Sequence, residues 1–237
     1  MARSNSTTST SRQPLALFAA IAILGQVILL GSALLLPLVS EFSFVGDTMS
    51  ELVLGRFGWV QSAAIVAAGI GALALAYALG RLTAGIWGSR VGSLLVGLYG
   101  VGALLIAIFP TDRVDSASDV WSQSTSGTIH LMVSLVSFVG MIVGMFVLSR
   151  TFLLDAHWRS LFPWSSLLPA AALSLLIGQS QGPWVGIMQR LLVGAIATWI
   201  VLVALRVRSI VAAGEPRSLH PAHAERAPRS DPQQRPI

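Results

Sequence analysis

Six apolar runs separated by short polar loops leave this chain few ways to fold. They cover residues 15–39, 59–79, 91–109, 127–148, 161–177 and 184–205. Each is about twenty residues long, and a helix of that length spans the roughly 30 Å hydrocarbon core of a bilayer. The charged fraction is 11%, less than half of the roughly 25% of a soluble domain, and the mean hydropathy is +0.75. A chain of this kind cannot cover itself with polar surface in water. The expected class is therefore all-α: a polytopic membrane protein built as a single bundle of six transmembrane helices.

The bundle is expected over residues 15–210. It is flanked by a disordered Ser/Thr-rich lead, 1–14, and a disordered Pro/Arg/His-rich tail, 211–237, whose composition holds no apolar period. The first run is too long for the core of a signal peptide and is read as an uncleaved helix. Arginine distribution sets the orientation. Arg3, Arg12, Arg81, Arg90, Arg150, Arg159, Arg206 and Arg208 fall on one side, and Arg56, Arg113 and Arg190 on the other. The positive-inside rule then places both termini in the cytoplasm of a multi-pass membrane protein. The same rule accounts for the net charge of +5 without a nucleic-acid partner.

Local signals refine the picture. Thr48-Met-Ser-Glu51 has the spacing of a capping box and predicts a short helix that stops at Gly55. Ala64, Ala68, Ala72 and Ala76, the pair Gly88 and Gly92, and the pair Gly140 and Gly144 are small-residue rows. Such rows let helices approach closely in lipid, within one bundle or between copies in a homo- or hetero-oligomer. Pro163 suits a first turn, and Pro169 predicts a kink. Trp59, Trp87, Trp121, Trp158, Trp164 and Trp184 sit near span ends, as an interfacial belt requires.

Polar groups converge on the side away from the arginines. Ser126, His130, Ser134 and Ser137 share one helical face, which must turn inward because lipid offers no hydrogen bonds. Arg190 lies about two turns into the last span and needs an acid or an escape to the headgroups; Asp112, just after Phe109-Pro110, is the expected acid. A pocket at the extracytoplasmic leaflet follows, with Asp112 and His130 as its catalytic acid–base or ligand-orienting pair. Arg190, Gln189, Ser50, Glu51 and Ser126 would bind the ligand, a membrane lipid headgroup. The bland alternative has Asp112 capping helix ends, His130 bonding a neighbouring helix and Arg190 reaching the headgroups. Asp115 and Asp119 read as solvated, and Gln181 as part of a tight turn.

With no Cys, thiolate chemistry is excluded. No metal-ligand spacing, phosphate loop or nucleotide motif is present, so no metal and no cofactor is expected. His220 and His223 belong to the solvated tail. Two other functional classes compete. A small transporter would need polar groups at the membrane midplane, where only Gln26, Ser134 and Ser137 offer them. A non-enzymatic scaffold or accessory subunit would show Asp112 against Arg190 in a bundle without a pocket.

The order DTMSEL, FPTD, SGTIH, GIMQR resembles the bacterial family of unknown function DUF998, a group of six-helix membrane proteins. It is more loosely similar to the eukaryotic Frag1/DRAM/Sfk1 proteins. The resemblance covers about residues 15–210. It implies the six-helix fold and the positions Ser50, Glu51, Pro110, Asp112, Gly127, His130, Gln189 and Arg190, but no reaction. Glu51 stands where the resemblance implies Asp.

Overall fold

Pro37 sets the first boundary, because it has no backbone N–H to carry the α-helical ladder on to the Ala33 carbonyl. In the computed structural model, which describes residues 13–83, 87–113, 123–179 and 183–214, α1 runs Gln13–Leu35 and tightens into a 3-10 turn, Leu36–Leu38. A second 3-10 turn, Glu51–Leu54, follows in the first loop and stops at Gly55. Then come α2 (Gly58–Leu82), α3 (Trp87–Ile108), α4 (Thr125–Leu154), a 3-10 turn (Arg159–Leu161), α5 (Phe162–Gly178) and α6 (Val185–Ala213). No strand occurs among the described residues. Residues 1–12, the tail after residue 214, Asp115, Asp119, Trp121 and Gln181 lie outside them; residues 13–14 and 211–213, expected in the disordered lead and tail, are helical.

All six helices are long and apolar enough to cross a membrane, which is the architecture of a multi-pass membrane protein. Each packs on its sequence neighbour, and α6 closes the ring against α1. Large apolar side chains such as Leu94, Leu135, Leu167 and Ile177 face outward. That arrangement suits lipid and would be a liability in water.

The small-residue rows are used inside the bundle. A Cβ on Gly25 of α1 would overlap the Ala67 carbonyl oxygen of α2, and one on Gly71 would come within 3.0 Å of Ala22 Cα. Gly69 and Gly100 bring α2 and α3 together, each blocked by the other's carbonyl at 2.8–2.9 Å. Gly144 of α4 faces Leu95 and the Gly92 carbonyl of α3. Without water to drive apolar association, such backbone-to-backbone approach is a main source of helix cohesion in lipid.

Two helices outrun their apolar segments. α4 continues to Leu154 because Phe152 stacks on Trp158 at 4.8 Å and also faces Trp199. α6 continues because Val207 and Ile210 stay buried and Arg206 Nε donates to the His157 carbonyl at 2.5 Å. It ends on Gly214, whose φ of +65° only glycine adopts cheaply. Trp158 is thereby corrected from interfacial belt to core, at 1% exposure. Trp59, Trp87, Trp164 and Trp184 are exposed at span ends, as a belt demands. α5 starts with Pro163 in its first turn and runs unbroken through Pro169.

Candidate functional site

One end of the bundle carries Glu41, Asp47, Glu51 and Asp112; we call it the acidic end. The other carries Arg81, Arg90, Arg150, Arg159, Arg206 and Arg208. At the acidic end the polar groups form two joints and roof one cavity.

The first joint ties the loop of residues 40–57 to the start of α6. The capping box forms as the spacing predicted. Glu51 Oε2 accepts from the Thr48 amide (2.7 Å) and hydroxyl (2.8 Å), and Thr48 Oγ1 accepts from the Glu51 amide. Glu51 is 5% exposed. Beside it the Met49 amide donates to Gln189 Oε1 at 2.6 Å, and the Ile187 amide donates to the Val45 carbonyl.

Arg190 completes this joint. At 6% exposure its guanidinium donates to three backbone carbonyls: Ala33 (3.3 Å), Asp47 (2.8 Å) and Gly186 (3.1 Å). It lies over the Phe44 ring at 4.7 Å. The expected partner Asp112 makes no hydrogen bond or ion pair with it, which corrects the sequence reading. The reason is local. Ala33 is in the last turn of α1, where carbonyls lack helical partners and the helix dipole favours a cation. Gly186 makes the approach possible, since a Cβ there would overlap the Asp47 carbonyl oxygen.

The second joint closes α3 onto α4. Asp112 accepts from the Ser124 amide (2.6 Å) and hydroxyl (2.9 Å), while Ser124 caps α4 by accepting from the Gly127 amide. A carboxylate behind a helix N-cap faces the positive end of the dipole. Ser126 donates to the Pro110 carbonyl at 2.9 Å. His130 Nδ1 meets the Phe109 carbonyl at 2.8 Å, which fixes the proton on Nδ1. Its Nε2 is buried without a partner among the described residues. Asp112, Ser126 and His130 thus share one joint, and Glu51, Gln189 and Arg190 share the other. Arg113 stands between them, over the Phe42 ring and 3.9 Å from Asp47.

Beneath both joints is a partly open cavity of about 50 Å³. Leu29, Ile65, Ala68, Ala103, Phe138 and Val193 supply apolar wall, and Ser50, Gln61, Tyr99, Ser134, Ser137 and Gln189 supply polar groups. Its lining reaches Ser137, twelve residues into α4, or about 18 Å at 1.5 Å per residue. That is roughly the depth of the bilayer midplane. The polar face of α4 turns inward as expected, with Ser134 and Ser137 on the cavity. Of the seven residues singled out from sequence, Ser50 and Gln189 line it. Gln61 and Tyr99 were missed. Their signal was available: a glutamine three residues into α2 and a tyrosine in the middle of α3, both inside apolar runs.

Among the described residues, no three His, Asp or Glu side chains are grouped to hold a metal ion. In comparisons with known proteins, a family model described as a protein of unknown function, DUF998, matches residues 15–206. No curated protein and no solved structure matches.

Proposed function

We propose that this chain, which belongs to the DUF998 family, binds the polar end of a membrane lipid in the cavity beneath its acidic end, on the extracytoplasmic half of a bacterial plasma membrane. The cavity carries the reading: it is partly open, mostly apolar in its walls, and furnished with a few hydrogen-bonding groups. The orientation follows from the arginines, six of which gather at the end opposite the acidic loops. Both termini are then cytoplasmic.

Each residue takes a part. Ser50 and Gln189 line the cavity and contact the ligand. Glu51 and Arg190 hold the roof down. Asp112, Ser126 and His130 hold α3 against α4 and so keep the wall in place. Binding is favoured over hydrolysis because neither Asp112 nor His130 is among the residues that line the cavity, and both carboxylate oxygens of Asp112 are already engaged.

The test fills the cavity. The full chain is purified in nanodiscs formed from native membrane, and bound lipids are compared with the bulk extract by mass spectrometry. The wild type retains an enriched lipid, and Ala103→Phe loses at least ten-fold of it. Ser134→Met, a smaller intrusion from another wall, loses part. Equal retention by folded wild type and both variants, or no enrichment in the wild type, overturns the reading.

A further inference from the structure

The lining of the cavity is uncharged: among its residues there is no Arg, His, Asp or Glu. An ionised group placed there would be desolvated with nothing to pair it. Phosphate and carboxylate headgroups are therefore poor occupants of the interior.

Gln61 is 0% exposed, and its amide nitrogen has no hydrogen-bond partner among the described residues. The opposite end of the same amide lies 2.8 Å from Ser32 Oγ, which is also 2.9 Å from the Leu29 carbonyl. A serine hydroxyl has one proton for those two acceptors. Whichever way the amide is turned, one of its ends is left unmatched. A buried amide in that state is costly, and the cost falls if a ligand supplies the missing partner. Tyr99, 6% exposed on α3, also lines the cavity, and its hydroxyl can both donate and accept.

Size narrows the choice. One water needs roughly 10–15 Å³, and a cavity that admits benzene is about 150 Å³. The cavity here, about 50 Å³, lies between them. It takes a small polar group and the first carbons behind it, with the rest of the chain leaving through the open side.

We infer that the cavity selects a neutral, hydroxyl-bearing long-chain amphiphile, whose hydroxyl is held by Gln61 and Tyr99. A hydroxyl both donates and accepts, so it satisfies either end of the amide. This rests on the lipid-binding reading and adds the class of lipid.

The experiment measures binding of a photoreactive hexadecanol to the full chain in nanodiscs. Competitors are unlabelled hexadecanol, an isoprenoid alcohol, a monoacylglycerol, hexadecane and hexadecanoate at pH 8. The three hydroxyl compounds are the possible sources of one chemistry, and their order of potency distinguishes them. Hexadecane and hexadecanoate compete at least ten-fold more weakly. Gln61→Met and Tyr99→Phe keep the side-chain volume and weaken hexadecanol binding by about 3- to 20-fold, the worth of one hydrogen bond in a bilayer. Equal competition by the alkane, tighter binding of the carboxylate, or unchanged affinity in both folded variants overturns the selectivity while leaving lipid binding intact. Failure of the wild type to label above the Ala103→Phe variant overturns the hydroxyl selectivity, and together with no native lipid enriched in the wild type it removes both readings.

Discussion

Replacing Arg190 by methionine lowers the thermal midpoint of the purified chain by about 5–15 °C and frees the loop of residues 40–57. The estimate comes from three lost hydrogen bonds, to the carbonyls of Ala33, Asp47 and Gly186. Side-chain hydrogen bonds in membrane proteins are worth roughly 0.6–1.7 kcal/mol each, so about 2–5 kcal/mol is at stake. One kcal/mol moves the midpoint of a domain of this size by about 2–4 °C. Arg190→Lys keeps the charge but not the planar fork, and a single ammonium cannot reach three carbonyls in different directions. It is expected to recover less than half of the loss. Loop release has its own readout, because the chain contains no cysteine. A lone cysteine at Met49, a buried loop position, labels slowly with a maleimide in the parent and rapidly beside Arg190→Met. An unchanged midpoint and unchanged labelling would show that the loop is held by something else.

A larger effect is expected from Gly186→Val. Any side chain at this position overlaps the Asp47 carbonyl oxygen and comes within 2.7 Å of the Val45 carbonyl and 2.9 Å of Arg190 Nη1. The first two obstacles are backbone, which cannot swing aside as a side-chain tip does. The loop must lift, and Arg190 then loses its Asp47 partner as well. The combined loss is about 3–5 kcal/mol, overpacking added to broken hydrogen bonds. Gly194, two turns further along α6, is open: a Cβ added there would meet nothing within 4 Å. Gly194→Ala is therefore the matched control and is expected to be neutral or slightly stabilising, since it removes a glycine from a helix. Similar midpoints for the two variants, read in the same detergent, would contradict the close docking of loop on helix.

The two substitutions also mark where reading the sequence succeeds and where it stops. Spans, the capping box of Thr48 and Glu51, and the inward face of Ser134 and Ser137 are carried by side-chain type and spacing, which a sequence displays. The partners of Arg190 are not. A backbone carbonyl exists at every residue, so a cation that chooses carbonyls over a carboxylate leaves no trace in composition. Asp112 drew attention by its charge, yet its carboxylate is spent on Ser124 twelve residues later. Trp158 looked interfacial because it follows an apolar run; it is core because Phe152 and Trp199 come to the same place. Gln61 was overlooked for the opposite reason. Near the start of a span a glutamine passes as interfacial, and only the packing of α1 against α2 shows it enclosed, with Ser32 on one side and the cavity on the other.

At the centre stands an uncharged cavity beneath a strapped loop, which we propose takes the hydroxyl end of a lipid. An experimental density map of the full chain in nanodiscs of native lipid tests this most directly. The expected result is the loop seated on α6 and elongated density in the cavity, its polar tip within hydrogen-bonding distance of Gln61 and its tail leading out between helices. Water-sized peaks alone, or a loop standing clear of Arg190 with the cavity open to solvent, would contradict it.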